Sequence, residues 1–198
     1  GIEDNKPEAR AALEPFVRDT HIQLVSFPTR YPSGGEKQLI QILTGHEVPS
    51  GGLPADIGIV CQNVGTAFAV QKAIHFGEPL ISRITTVTGR ACSTNRNYEV
   101  LIGTPITHLL AHNGFDENNC SRLIMGGPMM GFTLTDLDIP VIKTTNCILA
   151  ASREEAPTPP PAQPCIRCGM CAEACPASLL PQQLFWYAQS HNHERLEA

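Results

Sequence analysis

The chain has 198 residues, 42% hydrophobic and 17% charged, with a formal net charge of −5. That apolar share supports a buried core and excludes a wholly disordered chain, while the acidic balance lacks the basic face of a nucleic-acid binder. No apolar run approaches the roughly eighteen residues that cross a bilayer, so membrane attachment is expected only through a partner.

From Gly1 to Gly77 the pattern alternates helical and extended periods in the α/β manner. Helices are predicted over Pro7–Phe16, over Glu36–Leu43 with Gly45 as the stop, and over Val64–Phe76. His21–Val25 reads as an alternating strand and Ala55–Cys61 as a buried one. Further on, Leu80–Thr88, Asn97–Leu101, Arg122–Met125 and Val141–Ile148 read as short extended runs, with one helix at Ile106–Asn113. This predicts a compact, mostly β module around a single helix. The proline-rich stretch Pro157–Pro164 can sustain neither a helix nor a central strand and reads as an extended spacer. The expected division is therefore residues 1–77, 78–152, a linker over 153–164, and 165–198.

The chain ends carry their own expectations. Gly1 follows no initiator Met and opens no basic, apolar leader, so no signal peptide is read. His191–Ala198 reads as a polar helix cut mid-course, which points to a piece of a longer protein. A chain without a secretory leader is expected in a reducing compartment, where its eight cysteines stay free of structural disulfides.

The strongest chemical signal is Cys165-Ile166-Arg167-Cys168-Gly169-Met170-Cys171-Ala172-Glu173-Ala174-Cys175-Pro176, a C-x2-C-x2-C-x3-C-P run. Three thiolates on a tight loop can each reach one iron of a cubane, and Gly169 permits backbone conformations that a side chain would obstruct. Cys175 is expected to open a helix that carries its sulfur away, to the other cluster of a two-cluster protein. Structural zinc, which separates its C-x2-C pairs by a dozen or more residues, fits this spacing poorly. Elsewhere, Cys61 and Cys147 lie in apolar runs and read as small buried hydrophobes, while Cys92 and Cys120 fall in loop-like sequence.

Other signals are local and open to two readings. Tyr31-Pro32-Ser33-Gly34-Gly35-Glu36-Lys37 precedes a helix, so its free amides could face a phosphate or flavin, or Ser33 and Glu36 could form an ordinary capping box. Glu3-Asp4-Asn5 could hydrogen-bond ribose hydroxyls or be a solvated loop. In Gln62-Asn63-Val64-Gly65-Thr66, Asn63 is a natural N-cap. Gly126-Gly127-Pro128 reads as a tight turn beside packed methionines, and Phe185-Trp186-Tyr187 as a helix face packed on the cysteine segment. His108 and His112 have i, i+4 spacing but no local third ligand, and they read with His191 and His193 as surface residues.

Taken in order, Gly1–Pro7, Tyr31–Leu39, Ile124–Gly131 and the cysteine run after its proline linker resemble the C subunits of the Rnf (Rsx) ion-translocating electron-transport family. That family is related to the NADH-binding flavoprotein of respiratory complex I. The resemblance implies an α+β multi-module fold: part of an α/β flavin domain, a β-grasp (soluble-ligand-binding) module acting as spacer or docking surface, and a ferredoxin-like Fe–S segment. It implies Gly35, Glu36, Asn63 and Thr66 as flavin-site residues, where Lys37, Gln38 and Gly65 depart from the relatives' Gly-Glu-Glu-Thr and Asn-Asn-Val-Glu-Thr stretches. It implies Cys165, Cys168, Cys171 and Cys175 as ligands of two [4Fe–4S] clusters. The family's main glycine-rich flavin loop is expected before Gly1, so this stretch alone is not expected to retain FMN or to be active. As implied function, NADH passes electrons through FMN and the clusters to neighbouring subunits at the cytoplasmic face of the bacterial inner membrane. No residue is expected to act as general acid, base or nucleophile. Two rival readings are a cobalamin-reducing flavoprotein of the same superfamily and a non-catalytic scaffold holding structural zinc.

Overall fold

The structure, a computed structural model, describes residues 1–196 and divides into two compact units, Gly1–Ala156 and Pro157–Ala198. The first unit begins with β1 (Ile2–Glu3), α1 (Pro7–Val17), β2 (Ser26–Phe27), α2 (Glu36–Thr44) and α3 (Val64–Phe76). Strands β1 and β2 pair in parallel, and the side chains of Phe27, Leu39 and Leu43 close around Gly1. The helices lie where the sequence places them because their stop and start signals are local. Gly45 closes α2 with its amide on the Gln41 carbonyl, and the Asn63 side chain caps α3 by accepting the Gly65 amide at 2.9 Å.

Two expected strands are absent. Over His21–Val25 the backbone is irregular, because the register with β1 begins at Ser26, the Ile2 amide reaching back only as far as the Val25 carbonyl at 2.9 Å, and Thr20 Oγ1 turns the preceding residues by accepting the Ile22 amide. Over Ala55–Cys61 the chain instead forms a 3-10 turn at Pro54–Ile57. Pro54 presets that turn, the Asp56 carboxylate accepts the Leu53 amide at 2.8 Å, and Gly58 ends it, leaving Val60 largely exposed. Cys61 is accordingly half-buried rather than a core residue.

A five-stranded mixed sheet follows, built from β3 (Ser82–Thr88), β4 (Arg96–Leu101), β5 (Cys120–Met125), β6 (Phe132–Thr133) and β7 (Cys147–Ser152), with α4 (Ile106–His112) between β4 and β5. The strand order is β4-β3-β7-β5-β6. Strand β3 pairs antiparallel with β4 and parallel with β7, and β5 pairs antiparallel with both β7 and β6. The core is the inner face of this sheet against α4: Val87, Val100, Leu123, Met125 and Ile148 meet Ile106, Leu109 and Leu110. Its buried polar groups are paired. Asn113 donates to the Leu109 carbonyl and accepts from Tyr98, and Thr85 donates to the Thr145 carbonyl.

The expected strand over Val141–Ile148 begins later, at Cys147. Thr145 turns the chain first, its amide on the Ile142 carbonyl and its hydroxyl accepting the Ile142 amide, while Val141 packs as a buried loop residue. Cys147 is half-buried rather than a core residue, Cys92 is buried, and Cys120, expected in loop-like sequence, opens strand β5. Of the methionines near Gly126, only Met125 is buried; Met129 and Met130 are exposed. Helix α3 buries none of its apolar residues in this unit.

In the second unit the proline stretch is irregular, followed by α5 (Met170–Glu173) and α6 (Pro181–Gln189). Phe185 and Trp186 are more than half exposed, so α6 does not present them to a packed face as expected. The tail does not form the expected continuous polar helix: His193–Arg195 is a 3-10 turn, and Glu197 and Ala198 lie outside the described residues. No helix among the described residues is long and apolar enough to cross a membrane.

Candidate cofactor sites

Four exposed or half-buried thiols lie close in sequence on the loop around α5. Arg167 and Gly169 both adopt left-handed backbone conformations, φ 59° and 79°, and these reverse the chain between successive cysteines. The reversal turns the Arg167 amide onto Cys165 Sγ at 3.4 Å. Cys171 lies within α5. Cys175 follows that helix rather than opening the next, because Ser178, itself left-handed, closes a turn onto the Cys175 carbonyl before α6 begins at Pro181. Among the described residues no three His, Cys, Asp or Glu side chains converge as a ready metal site. The donor chemistry nevertheless fits iron–sulfur ligation: four free thiols at C-x2-C-x2-C-x3-C spacing, with an amide already directed at sulfur.

Gly35 and Glu36 stand at the start of α2. The expected capping box is not formed, since the helix begins at Glu36 and Ser33 lies two residues ahead of the cap position. Ser33 Oγ instead accepts the Arg30 amide at 3.2 Å and donates its hydroxyl to the Pro28 carbonyl at 3.2 Å and the Arg30 carbonyl. The Gly35 amide reaches the Pro32 carbonyl at 2.7 Å, and a Cβ on Gly35 would come 2.5 Å from Gln38 Oε1. Among the described residues nothing accepts from the amides of Glu36, Lys37 and Gln38. Free amides at a helix start suit an anionic or carbonyl-bearing group, which is the chemistry a flavin mononucleotide offers.

Asn63 and Thr66 occupy the first turn of α3, and no hydrogen bond among the described residues joins them to the α2 start. Asn63 spends its side-chain oxygen on its own helix, and Thr66 Oγ1 accepts from Arg83 Nη1 at 3.5 Å. Asn63, but not Thr66, borders a cleft of about 760 Å³ between α3 and β3, lined by Val64, Phe68, Ile81, Arg83 and Ile84. Its charges are largely paired: Lys72 with Glu78 at 3.1 Å and Glu99 with the Ser82 hydroxyl at 2.7 Å. No motif announces this cleft, because its two walls come from separately predicted elements.

Asp4, weighed from sequence as a ribose partner or a solvated residue, is neither free nor merely solvated. Its Oδ1 accepts the Thr29 hydroxyl at 2.7 Å and the Thr29 amide at 3.0 Å, which together hold its carboxyl below the usual carboxylate range. Neighbouring Glu3 and Asn5 both bond to Lys6. His108 and His112 meet edge to face on α4 with ring centroids 4.7 Å apart and both exposed, as expected of surface residues.

The family model described as the Nuo51 FMN-binding domain matches residues 1–72, the stretch that holds the α2 start and Asn63. The C subunit of the ion-translocating oxidoreductase complex of Pseudomonas aeruginosa is 60% identical over 198 residues, all of this chain and 26% of that protein. The proteins of the same description from Erwinia tasmaniensis and Cronobacter sakazakii are each 54% identical across the whole chain, which covers 25% and 26% of them. The chain thus spans about a quarter of the length of the curated relatives it matches. Along its whole length it is a homologue of the C subunits of ion-translocating oxidoreductase complexes, the relationship its motif combination implies.

Proposed function

We propose that this chain is the part of an electron-transfer subunit that links a flavin site to iron–sulfur clusters within a membrane-bound, ion-translocating oxidoreductase. The observation that carries the reading is the four-thiol run at Cys165, Cys168, Cys171 and Cys175, with its amide–sulfur contact, in a chain similar throughout to the C subunits of such complexes. Cys165, Cys168 and Cys171 hold three irons of one [4Fe–4S] cluster, and Cys175 ligates a second whose other ligands lie outside these residues. Gly35 and Glu36 at the α2 start, with Asn63 and Thr66 on α3, contribute to an FMN site completed by further parts of the protein. When bound, these groups supply the conversion of a two-electron donation from NADH into single-electron transfers.

The chain's own work is to bind, order and screen. The Arg167 amide on Cys165 places positive dipole against a thiolate, which raises the potential of a cluster held there. Reading the mixed-sheet module as a β-grasp is supported by its strand order: an initial hairpin β3–β4, a crossing helix, and a last strand β7 beside the first. This order and its packed core support a role as spacer or docking surface for neighbouring subunits. The reading places the protein at the cytoplasmic face of the inner membrane, attached through those subunits.

Anaerobic reconstitution of the full-length protein, followed by iron and sulfide assay and electron paramagnetic resonance after dithionite, tests it. The expected result is about eight iron per chain and the signal of reduced cubanes, with Cys165→Ala, Cys168→Ala and Cys171→Ala each removing about half the iron. Stoichiometric zinc without iron in natively purified protein would overturn the reading.

A further inference from the structure

We infer that Asp4 is a positioning residue for the flavin site: by clamping Thr29 it fixes the loop that delivers Gly35 and Glu36. The inference rests on the flavin reading proposed above and extends it to a residue outside the α2 start. Its basis is the way the chain leaves the first strand pair. The Asp4 amide bonds the Phe27 carbonyl at 2.9 Å, so Asp4 and Thr29 emerge side by side beyond β1 and β2. There the single oxygen Oδ1 takes both Thr29 donors. Two donors converging on one oxygen suit a charged acceptor, which binds each more strongly than a neutral carbonyl does.

Beyond Thr29 the loop folds on itself. The Ser33 amide reaches the Arg30 carbonyl at 2.6 Å, the Ser33 hydroxyl accepts the Arg30 amide, and the Gly35 amide reaches Pro32. These bonds make residues 30–35 a preformed unit but do not aim it. Two ties run from the loop back to the exit of the strand pair: the Ser33 hydroxyl donates to the Pro28 carbonyl at 3.2 Å, and Asp4 takes both Thr29 donors, the one tie of the two that reaches the end of β1. The free amides of Glu36, Lys37 and Gln38 are therefore oriented by a tie that starts at the end of β1. An exposed clamp adds little to global stability, yet it sets the angle of a helix start that must meet a ligand within a fraction of an ångström.

The test is FMN binding to the full-length protein, titrated by quenching of flavin fluorescence, with far-UV circular dichroism and iron content as controls. Asp4→Ala is expected to weaken FMN binding about tenfold with both controls unchanged, and Asp4→Asn, which keeps the acceptor oxygen, to recover most of the loss. Thr29→Val, which removes the hydroxyl donor alone, should weaken binding by about threefold, and Thr29→Ser should behave as wild type. The double variant Asp4→Ala with Thr29→Val should be no weaker than Asp4→Ala, because Asp4 acts through Thr29. Additive losses in the double variant, or no loss in Asp4→Ala, overturn the inference while leaving the flavin reading intact. Wild-type protein that takes up no FMN overturns both. If Asp4→Ala fails to fold, Thr29→Val against Thr29→Ser decides the same question, and equal affinity in that pair overturns it.

Discussion

Individual residues act in this protein chiefly by how near they let backbones come. Gly89 ends β3 with φ 112°, and a Cβ there would collide with the Ala150 carbonyl of β7, the same carbonyl that accepts the Ala91 amide at 3.1 Å. Gly89→Ala must therefore strain the backbone and push the two strands apart at once. It is expected to cost at least about 2 kcal/mol, read as a lowered denaturant midpoint. An unchanged midpoint would mean the strands do not need this approach. At this scale the sequence was readable wherever a partner sat within a few positions. Asn63 as the cap of α3 is such a case, and so is the left-handed Gly169 in the cysteine loop. The Asp4–Thr29 clamp spans twenty-five positions, and no local pattern announces it.

Among elements the same division holds. Helices α1 to α4 fall within a residue or two of expectation because their signals are local: Pro7 opens α1, Gly45 stops α2, Asn63 caps α3 and Gly77 stops it, and the apolar period of α4 lies within its own seven residues. The failed strands share the opposite property. A strand exists only where a partner supplies hydrogen bonds, and Ala55–Cys61, apolar as it is, has none. The end of β7 shows how such partners are secured. The Glu155 carboxylate accepts the Ser152 amide at 2.9 Å and the Arg90 amide at 2.8 Å, joining the chain after β7 to the turn after β3. These two amides, the Ser152 one foremost, hold its carboxyl below the usual carboxylate range. A lowered folded-state value means the latch contributes fully above the unfolded carboxyl pKa and is lost as pH falls through the folded one. Glu155→Gln should therefore melt below wild type near neutral pH, and the gap should close as the pH falls below the usual carboxylate range. A gap that persists in acid would assign the effect to shape rather than charge.

At the scale of the whole molecule, the cysteine chemistry and the sheet core fall in different compact units, Gly1–Ala156 and Pro157–Ala198, with the proline stretch opening the second. Cys168→Ala is expected to abolish a cluster while leaving the circular dichroism of helices and strands in place, since Val87, Ile106 and Ile148 make no use of it. Collapse of that signal would end the division. The two proposed chemistries could be read from the sequence at all because each rests on short stretches of chain, whereas the mixed sheet is written nowhere locally. Its middle strand, β7, is the last of the five along the chain, and it sets Thr86 opposite Cys147 and Leu123 opposite Ala150. During translation, at roughly 5–20 residues per second, β3 and β5 must both leave the ribosome with open edges and wait for the strand that joins them. A synthesis pause before Cys147 would prolong the life of a half-sheet whose apolar face is a natural substrate for a chaperone.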